Sequence, residues 1–95
     1  MLNEAWTLSP AVALRPEPFG ALAYHFGNRK LTFLKRPELV TVVRALGDSP
    51  DVRTALETAG VPEAHHAAYV DALAGLARTD MIRKRDTDST EGAAA

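Results

Sequence analysis

The side chains that could do chemistry in this chain are three histidines, His25, His65 and His66, a few acids in the second half, and Ser49. Their spacing argues against catalysis. Adjacent histidines on a helix diverge by about 100°, so His65 and His66 do not form the i, i+4 pair of a zinc helix. The sequence contains no cysteine. That removes disulfides, thiolate zinc sites and cysteine-held iron–sulfur clusters. It has no glycine-rich phosphate loop and no GxSxG. Asp51 and Glu63 read as first-turn charges that complement a helix dipole, and Asp48 and Glu57 as solvated surface charges. Ser49 reads as a helix cap, and His25, opposite Lys30, as a solvated cross-strand position. The expectation is a protein with no catalytic residues, no metal site and no cofactor of its own, and hence not an enzyme.

The chemistry that remains is recognition by charge and shape. The 95 residues carry a net charge of −1, too little positive charge for general nucleic-acid affinity. The charge is unevenly placed. Residues 15–37 hold Arg15, Arg29, Lys30, Lys35 and Arg36 against Glu17 alone, a net of +4, whereas residues 38–80 hold three Arg and seven acids, a net of −4. The chain is dipolar, with a basic sheet and acidic helices. A basic strand steers acidic partners, although edge lysines also discourage aggregation.

The cations sit on a hairpin, ALAYHFGNRKLTFLK, residues 21–35. Gly27-Asn28 is a two-residue turn signal, since both positions tolerate positive φ. That turn sets Tyr24 opposite Leu31 and Leu22 opposite Phe33, with Ala23 opposite Thr32 and Ala21 opposite Leu34. The face carrying Leu22, Tyr24, Leu31 and Phe33 is the larger and more apolar, so it is expected to supply the core, with Leu34 pointing away. Val12-Ala13-Leu14 reads as a short strand ended by Arg15-Pro16-Glu17-Pro18. Everything after the hairpin reads as helix. The first helix opens at Pro37 and buries Leu39, Val42, Val43 and Leu46. The second is capped by Ser49, buries Val52, Ala55 and Leu56, and stops at Gly60. The third runs from Pro62 to about Thr79 on a stripe of His66, Tyr69, Val70, Leu73, Leu76 and Ala77. Beside it lies a stripe of small residues, Ala68, Ala72 and Gly75, which implies a close approach or a weakening helix end. Met81 and Ile82 are expected to fold back onto the core. The predicted fold is α+β and winged helix-turn-helix-like: a three-stranded antiparallel sheet followed by three helices. Residues 1–83 form the domain and 84–95 a disordered tail.

The run RPEPFGALAYHFGNRKLTFLK, residues 15–35, with Trp6 and Val12-Ala13-Leu14 before it, resembles the mycofactocin-biosynthesis peptide chaperones. These belong to the peptide-recognition elements of ribosomally made, modified peptides, with the pyrroloquinoline quinone peptide chaperone as prototype. The resemblance covers about residues 6–82. It implies a non-enzymatic domain that binds the leader of a precursor peptide as an extra strand beside the third strand, against the third helix. It also implies a partner radical S-adenosylmethionine enzyme to which the precursor is presented. The residues agree with that expectation. A sheet that ends at Lys30-Leu31-Thr32-Phe33-Leu34-Lys35 leaves a rim of unpaired donors and acceptors for a guest strand. Leu31 and Phe33 are expected to floor an apolar groove, Tyr69, Leu73 and Leu76 to wall it, and Lys30, Lys35 and Arg36 to draw in acidic leader residues.

The competing reading is a winged-helix DNA-binding regulator, because the last two helices have helix-turn-helix spacing. The third helix would then enter the major groove, yet it carries three acids and one Arg, which repels phosphates. No secretory signal opens the sequence and no apolar run reaches the ~20 residues that span a bilayer. A cytoplasmic protein without nucleic-acid or membrane partners is expected.

Overall fold

Between His25 and Lys30 the chain reverses through a four-residue loop, and that loop fixes the sheet. In a computed structural model, which describes residues 1–85, the His25 N–H donates to the Lys30 carbonyl at 3.0 Å and the Arg29 N–H to the His25 carbonyl at 2.8 Å. Arg29 takes the left-handed φ of 63°. The expected tight turn on Gly27 and Asn28 is thus a wider loop centred on the same two residues. The register is therefore unchanged: Tyr24 faces Leu31, Leu22 faces Phe33, Ala23 faces Thr32 and Ala21 faces Leu34.

The elements follow in the order β1 (Trp6–Leu8), β2 (Val12–Glu17), β3 (Gly20–His25), β4 (Leu31–Leu34), α1 (Pro37–Ala45), α2 (Val52–Thr58), α3 (His66–Arg78) and β5 (Ile82–Lys84), with 3-10 turns after α1 and before α3. Strands β2, β3 and β4 form an antiparallel sheet in that order, and β1 pairs with β5 in a separate two-stranded ribbon. Three boundaries differ from the sequence reading. The helix expected to open at Pro62 begins as α3 only at His66, after the 3-10 turn Glu63–His65. β2 continues through Pro16 to Glu17, which an edge strand tolerates. A strand, not only helix, follows the hairpin: β5 runs to Lys84, and the Arg85 N–H donates to the Ala5 carbonyl at 2.9 Å. The remainder of the expected tail, 86–95, lies outside the described residues. β5 pairs with β1 and not with the larger sheet, so "winged helix" describes the arrangement only loosely.

The sheet packs on the helices by the opposite face to the one expected. Ala21, Ala23 and Leu34 are fully buried, with His25 beside them, whereas Leu31 and Phe33 are 57% and 59% exposed. The register agrees with the sequence pattern, but the face that turns inward is the other one. The physical reason is that helix α1 lies close over β3 and β4, and two alanines permit that approach where Leu22 and Tyr24 would not. The bulk of the core comes from elsewhere: Leu39, Val42, Val43 and Leu46 of the first helix and its following turn, Leu56, Leu73, Met81 and Ile82. Gly20, at the start of β3, permits a different close approach, that of the end of β4. It has a φ of +148°, and a Cβ there would collide with the Leu34 carbonyl.

Helix ends are satisfied partly by local caps and partly by the N-terminal segment. Asp51, not Ser49, caps α2, its Oδ1 accepting from the Thr54 N–H at 2.8 Å, while the Ser49 hydroxyl donates to the Ala45 carbonyl. Two further N–H groups of α2, those of Val52 and Arg53, donate to the carbonyls of Glu4 and Leu2. Gly60 ends α2 with a φ of +80°. At the end of α3 the Met81 N–H donates to Leu76 and the Asp80 N–H to Ala77, the paired bonds of a Schellman cap. Asp80 occupies the position where glycine is usual, at a φ of 61°.

That aspartate ties the helix to the sheet. The His25 ring accepts the N–H groups of Gly27 and Asn28 on Nδ1, so Nε2 carries the proton and donates to Asp80 Oδ2 at 2.9 Å. Arg83 reaches the same oxygen at 3.2 Å, and the Asn28 amide donates to the Thr79 carbonyl. His25 is therefore a buried, fully partnered residue and not a solvated one. The hydrogen bond from His25, and then the Arg83 guanidinium, hold the Asp80 carboxyl below its ordinary value of 3.8.

Two outcomes are expected. Leu34→Ala should lose about 2–5 kcal/mol of stability, whereas Phe33→Ala should cost about 1 kcal/mol or less; equal losses in paired urea melts would reverse the assignment of faces. Asp80→Asn keeps a residue suited to positive φ and removes only the charge. Because the folded carboxyl titrates below its unfolded value, its contribution is present above that value and disappears as pH falls through the folded one. The variant should melt below the parent at neutral pH, and the gap should close on acidification below about pH 4.

Candidate functional site

The two edges of the three-stranded sheet are not equivalent. Antiparallel ladders alternate between residues bonded to the neighbour and residues whose main chain points the other way. Since Lys30 bonds His25, Thr32 and Leu34 also face β3, and the N–H and C=O groups of Leu31, Phe33 and Lys35 point outward. Among the described residues no strand or loop pairs with them. On the other edge the Phe26 N–H donates to Ala11, so the outward positions of β2 are Val12, Leu14 and Pro16. The Val12 N–H is taken by the Ser9 carbonyl, and Pro16 has none. Of the two edges of this sheet, β4 is the one whose outward donors and acceptors are intact among the described residues.

Beside this row runs a cleft of about 390 Å³ between β4 and α3, lined by Phe33, Lys35, Arg36, Leu39, His65, Ala68, Tyr69 and Ala72. Its helical wall follows from the periodicity of α3. His66, Tyr69, Leu73 and Leu76 turn inward and are buried, which leaves Ala68 and Ala72, one turn apart, on the flank beside the strand. Their small side chains make the space. Gly75 continues the stripe, and a Cβ there would meet only the Arg78 guanidinium, at 3.7 Å. Among the described residues, then, nothing packs tightly on Gly75, and Ala68 and Ala72 are exposed. A second, smaller cleft shares Arg36, His65 and Tyr69 with the first and extends toward Gly60, Val61 and Pro62.

The expected site residues divide accordingly. Phe33, Lys35 and Tyr69 line the cleft. Leu31 and Lys30 are exposed on β4 and its approach, and Thr32 is half-buried on the inner face. Leu31 does not face the helices, contrary to expectation, and Phe33 reaches the cleft only because it stands at the open edge. Leu34, Leu73 and Leu76 are core residues, 1%, 0% and 4% exposed, and contribute no wall. Leu39, His65, Ala68 and Ala72 were not assigned from the sequence. The signal for the two alanines was present in the small stripe; Leu39 was legible only as a buried position.

Charge completes the geometry. Lys30, Lys35, Arg36 and Arg29 are exposed, and among the described residues none forms an ion pair. The histidine–carboxylate pair of His25 and Asp80 could be mistaken for half of a catalytic dyad. Its Nδ1 is already held by two main-chain donors, so it is a structural tie. The arrangement can hydrogen-bond an extended main chain, seat apolar side chains of alternate residues and attract carboxylates. Among the described residues no helix is long and apolar enough to cross a membrane.

Comparison with known proteins agrees with the resemblance of residues 15–35. The model of the peptide chaperone MftB family matches residues 5–83. The chain is 51% identical over 86 residues to the peptide chaperone MftB of Mycobacterium ulcerans (strain Agy99), covering 90% of this chain and 79% of that one. It is 49% identical over 85 residues to that of Mycobacterium tuberculosis (strain ATCC 25618 / H37Rv), covering 90% and 78%. It is 53% identical over 78 residues to that of Mycolicibacterium smegmatis (strain ATCC 700084 / mc(2)155), covering 82% and 76%. No solved structure matches at a comparable significance. With about half of the aligned residues identical to each of three such proteins across most of its length, the chain belongs to the MftB peptide chaperone family.

Proposed function

We propose that this peptide chaperone is non-enzymatic, that it captures the leader of a ribosomally made precursor peptide as a strand added to β4, and that it presents the precursor to a radical S-adenosylmethionine enzyme. The observation that carries the mode of binding is the unpaired rim at Leu31, Phe33 and Lys35 lying directly beside an apolar cleft. A guest strand would satisfy the rim, and side chains of one parity would enter the cleft while the others point to solvent. Main-chain bonds supply affinity without sequence preference. Selection then rests on what fits against Phe33, Leu39, Ala68, Tyr69 and Ala72. The unpaired cations Lys30, Lys35 and Arg36 favour a leader with carboxylates, and they do so chiefly through the rate of encounter. A chain without cysteine cannot hold an iron–sulfur cluster through thiolates, so radical chemistry on the precursor belongs to the partner.

The DNA-binding alternative finds little support. Helix α3 carries Asp71 against Arg78 and no other charge, far short of the several phosphate contacts that duplex binding needs.

Titration of the isotope-labelled chain with synthetic precursor leader should shift the amides of residues 31–35 and 65–72. Shifts confined to α1 and α2 would overturn the assignment of the site. Ala72→Trp fills the cleft from an exposed position and should weaken leader binding about tenfold or more, and Phe33→Asp should do the same with circular dichroism unchanged. Lys35→Glu with Arg36→Glu should slow association most at low salt, with the difference shrinking above ~0.3 M salt. Salt-independent, parent-like association would remove the electrostatic part. Duplex DNA titrated alongside should produce no saturable signal.

A further inference from the structure

The face that the sequence pattern marks as core is turned to water. Register places Leu22 and Tyr24 of β3 and Leu31 and Phe33 of β4 on one side of the sheet, away from the helices. Phe19 and Phe26 flank them at the two turns of β3. All three phenylalanines of the chain are on this side, at 40%, 63% and 59% exposure for Phe19, Phe26 and Phe33. They form two edge-to-face pairs, Phe19 with Phe33 at 5.8 Å and Tyr24 with Phe26 at 5.1 Å. The solvent face of an antiparallel sheet is ordinarily polar. A contiguous aromatic patch there marks an interaction surface, and rigid aromatic side chains are what interface hot spots are built from.

Charge narrows the occupant. Arg15 and Arg29 border the patch on β2 and the hairpin loop, and Lys35 follows β4. On β2 Arg15 pairs with the one acid on that side, Glu17, at 2.7 Å and the two charges cancel, so among the described residues the uncompensated cations are Arg29 and Lys35. A second copy of the chain would set these cations against each other. The leader strand cannot cover the patch either, because it joins in the plane of the sheet at the edge of β4. It would instead widen the patch by one row of side chains, about 4.8 Å further out.

Resting on the chaperone reading above, we propose that this sheet face is a second docking surface, taken by the modifying enzyme through an apolar patch bordered by carboxylates. The enzyme then contacts β3, β4 and the outward side chains of the guest strand together. Binding of leader and enzyme is therefore mutually reinforcing, each raising the affinity of the other by the same factor.

The test uses the full chain and the purified radical S-adenosylmethionine enzyme of the same organism, titrated by calorimetry with and without leader. Tyr24→Ser combined with Phe26→Ser, and separately Phe26→Asp in the exposed loop, should weaken enzyme binding about tenfold or more. Leader affinity should stay within about twofold, because neither residue lines the cleft. The single variant decides the matter should the double one fail to fold. Leader should tighten enzyme binding to the parent chain about fivefold or more. Parent-like enzyme affinity in the folded variants overturns the proposal. So does sedimentation showing a parent dimer that these substitutions dissolve, since the face would then hold a second copy. Absent leader binding to the parent chain removes the groove reading instead, and the leader-free enzyme titration still decides for the face.

Discussion

The close contact of helix α1 with the small-residue face of the sheet is the constraint on which the rest depends. Ala21 and Ala23 leave no bulk between β3 and the helix, and Leu34 is the one large side chain that β4 sends inward. With the sheet held that way, the pleat leaves no choice for the other residues. Leu22, Tyr24, Leu31 and Phe33 must stand on the outside. The same contact sets the rim of β4 beside α3 and not beneath it, so the strand's free main-chain groups border a cleft and are not sealed by a helix. A bulkier inward face would lift the sheet and separate the rim from Ala68 and Ala72.

A second set of contacts holds the far end of that cleft. The hairpin loop and the end of α3 are joined through His25, Asp80, Asn28 and Thr79, and Arg83 reinforces the aspartate. Asp80 accepts a strained backbone angle of the kind glycine usually takes. What offsets the strain is that its carboxylate meets the imidazole and the guanidinium while its own N–H closes the helix cap. Elsewhere β1 and β5 fasten the two ends of the domain, and Arg85 donates to the carbonyls of Gly47 and Ser49 at the end of the first helical segment. The cleft thus lies between elements fixed at both ends, which lowers the ordering cost of accepting a strand.

Much of this was legible in the residues, and the failures share a cause. The hairpin register, the stripes of all three helices and the stop at Gly60 are local properties, set by periods of 2 and 3.6 and by turn chemistry. The small stripe on α3 was visible for the same reason. A period of two shows which residues share a face but not which face turns inward. Here both faces are apolar, one with Ala21, Ala23 and Leu34, the other with Leu22, Tyr24, Leu31 and Phe33, and only the partner helix decides. β5 was missed because Arg83 and Lys84 look like the start of a tail, and its strand geometry comes from pairing with distant β1. His25 and Asp80 lie at the tips of separate elements, where no spacing rule could pair them.

The two edges of the sheet differ in how far they are protected against pairing with another strand. An exposed edge strand invites unwanted pairing, and proteins commonly blunt it with proline, charge or short length. β2 is blunted, since Pro16 removes an outward donor and the Ser9 carbonyl occupies another. β4 carries charge at its ends, on Lys30, Lys35 and Arg36, but its outward donors at Leu31 and Phe33 are intact. Cations at such an edge repel a second copy of the same basic strand while attracting an acidic one. Phe33 then stands where the two surfaces meet: its main chain faces the rim, the residue lines the cleft, and its ring packs against Phe19 on the aromatic face. A strand seated on β4 must touch Phe33, and a protein seated on the aromatic face touches it as well. On the reading proposed above, coupling between the two would need no conformational change in this domain, only a side chain and an added strand that both ligands would share.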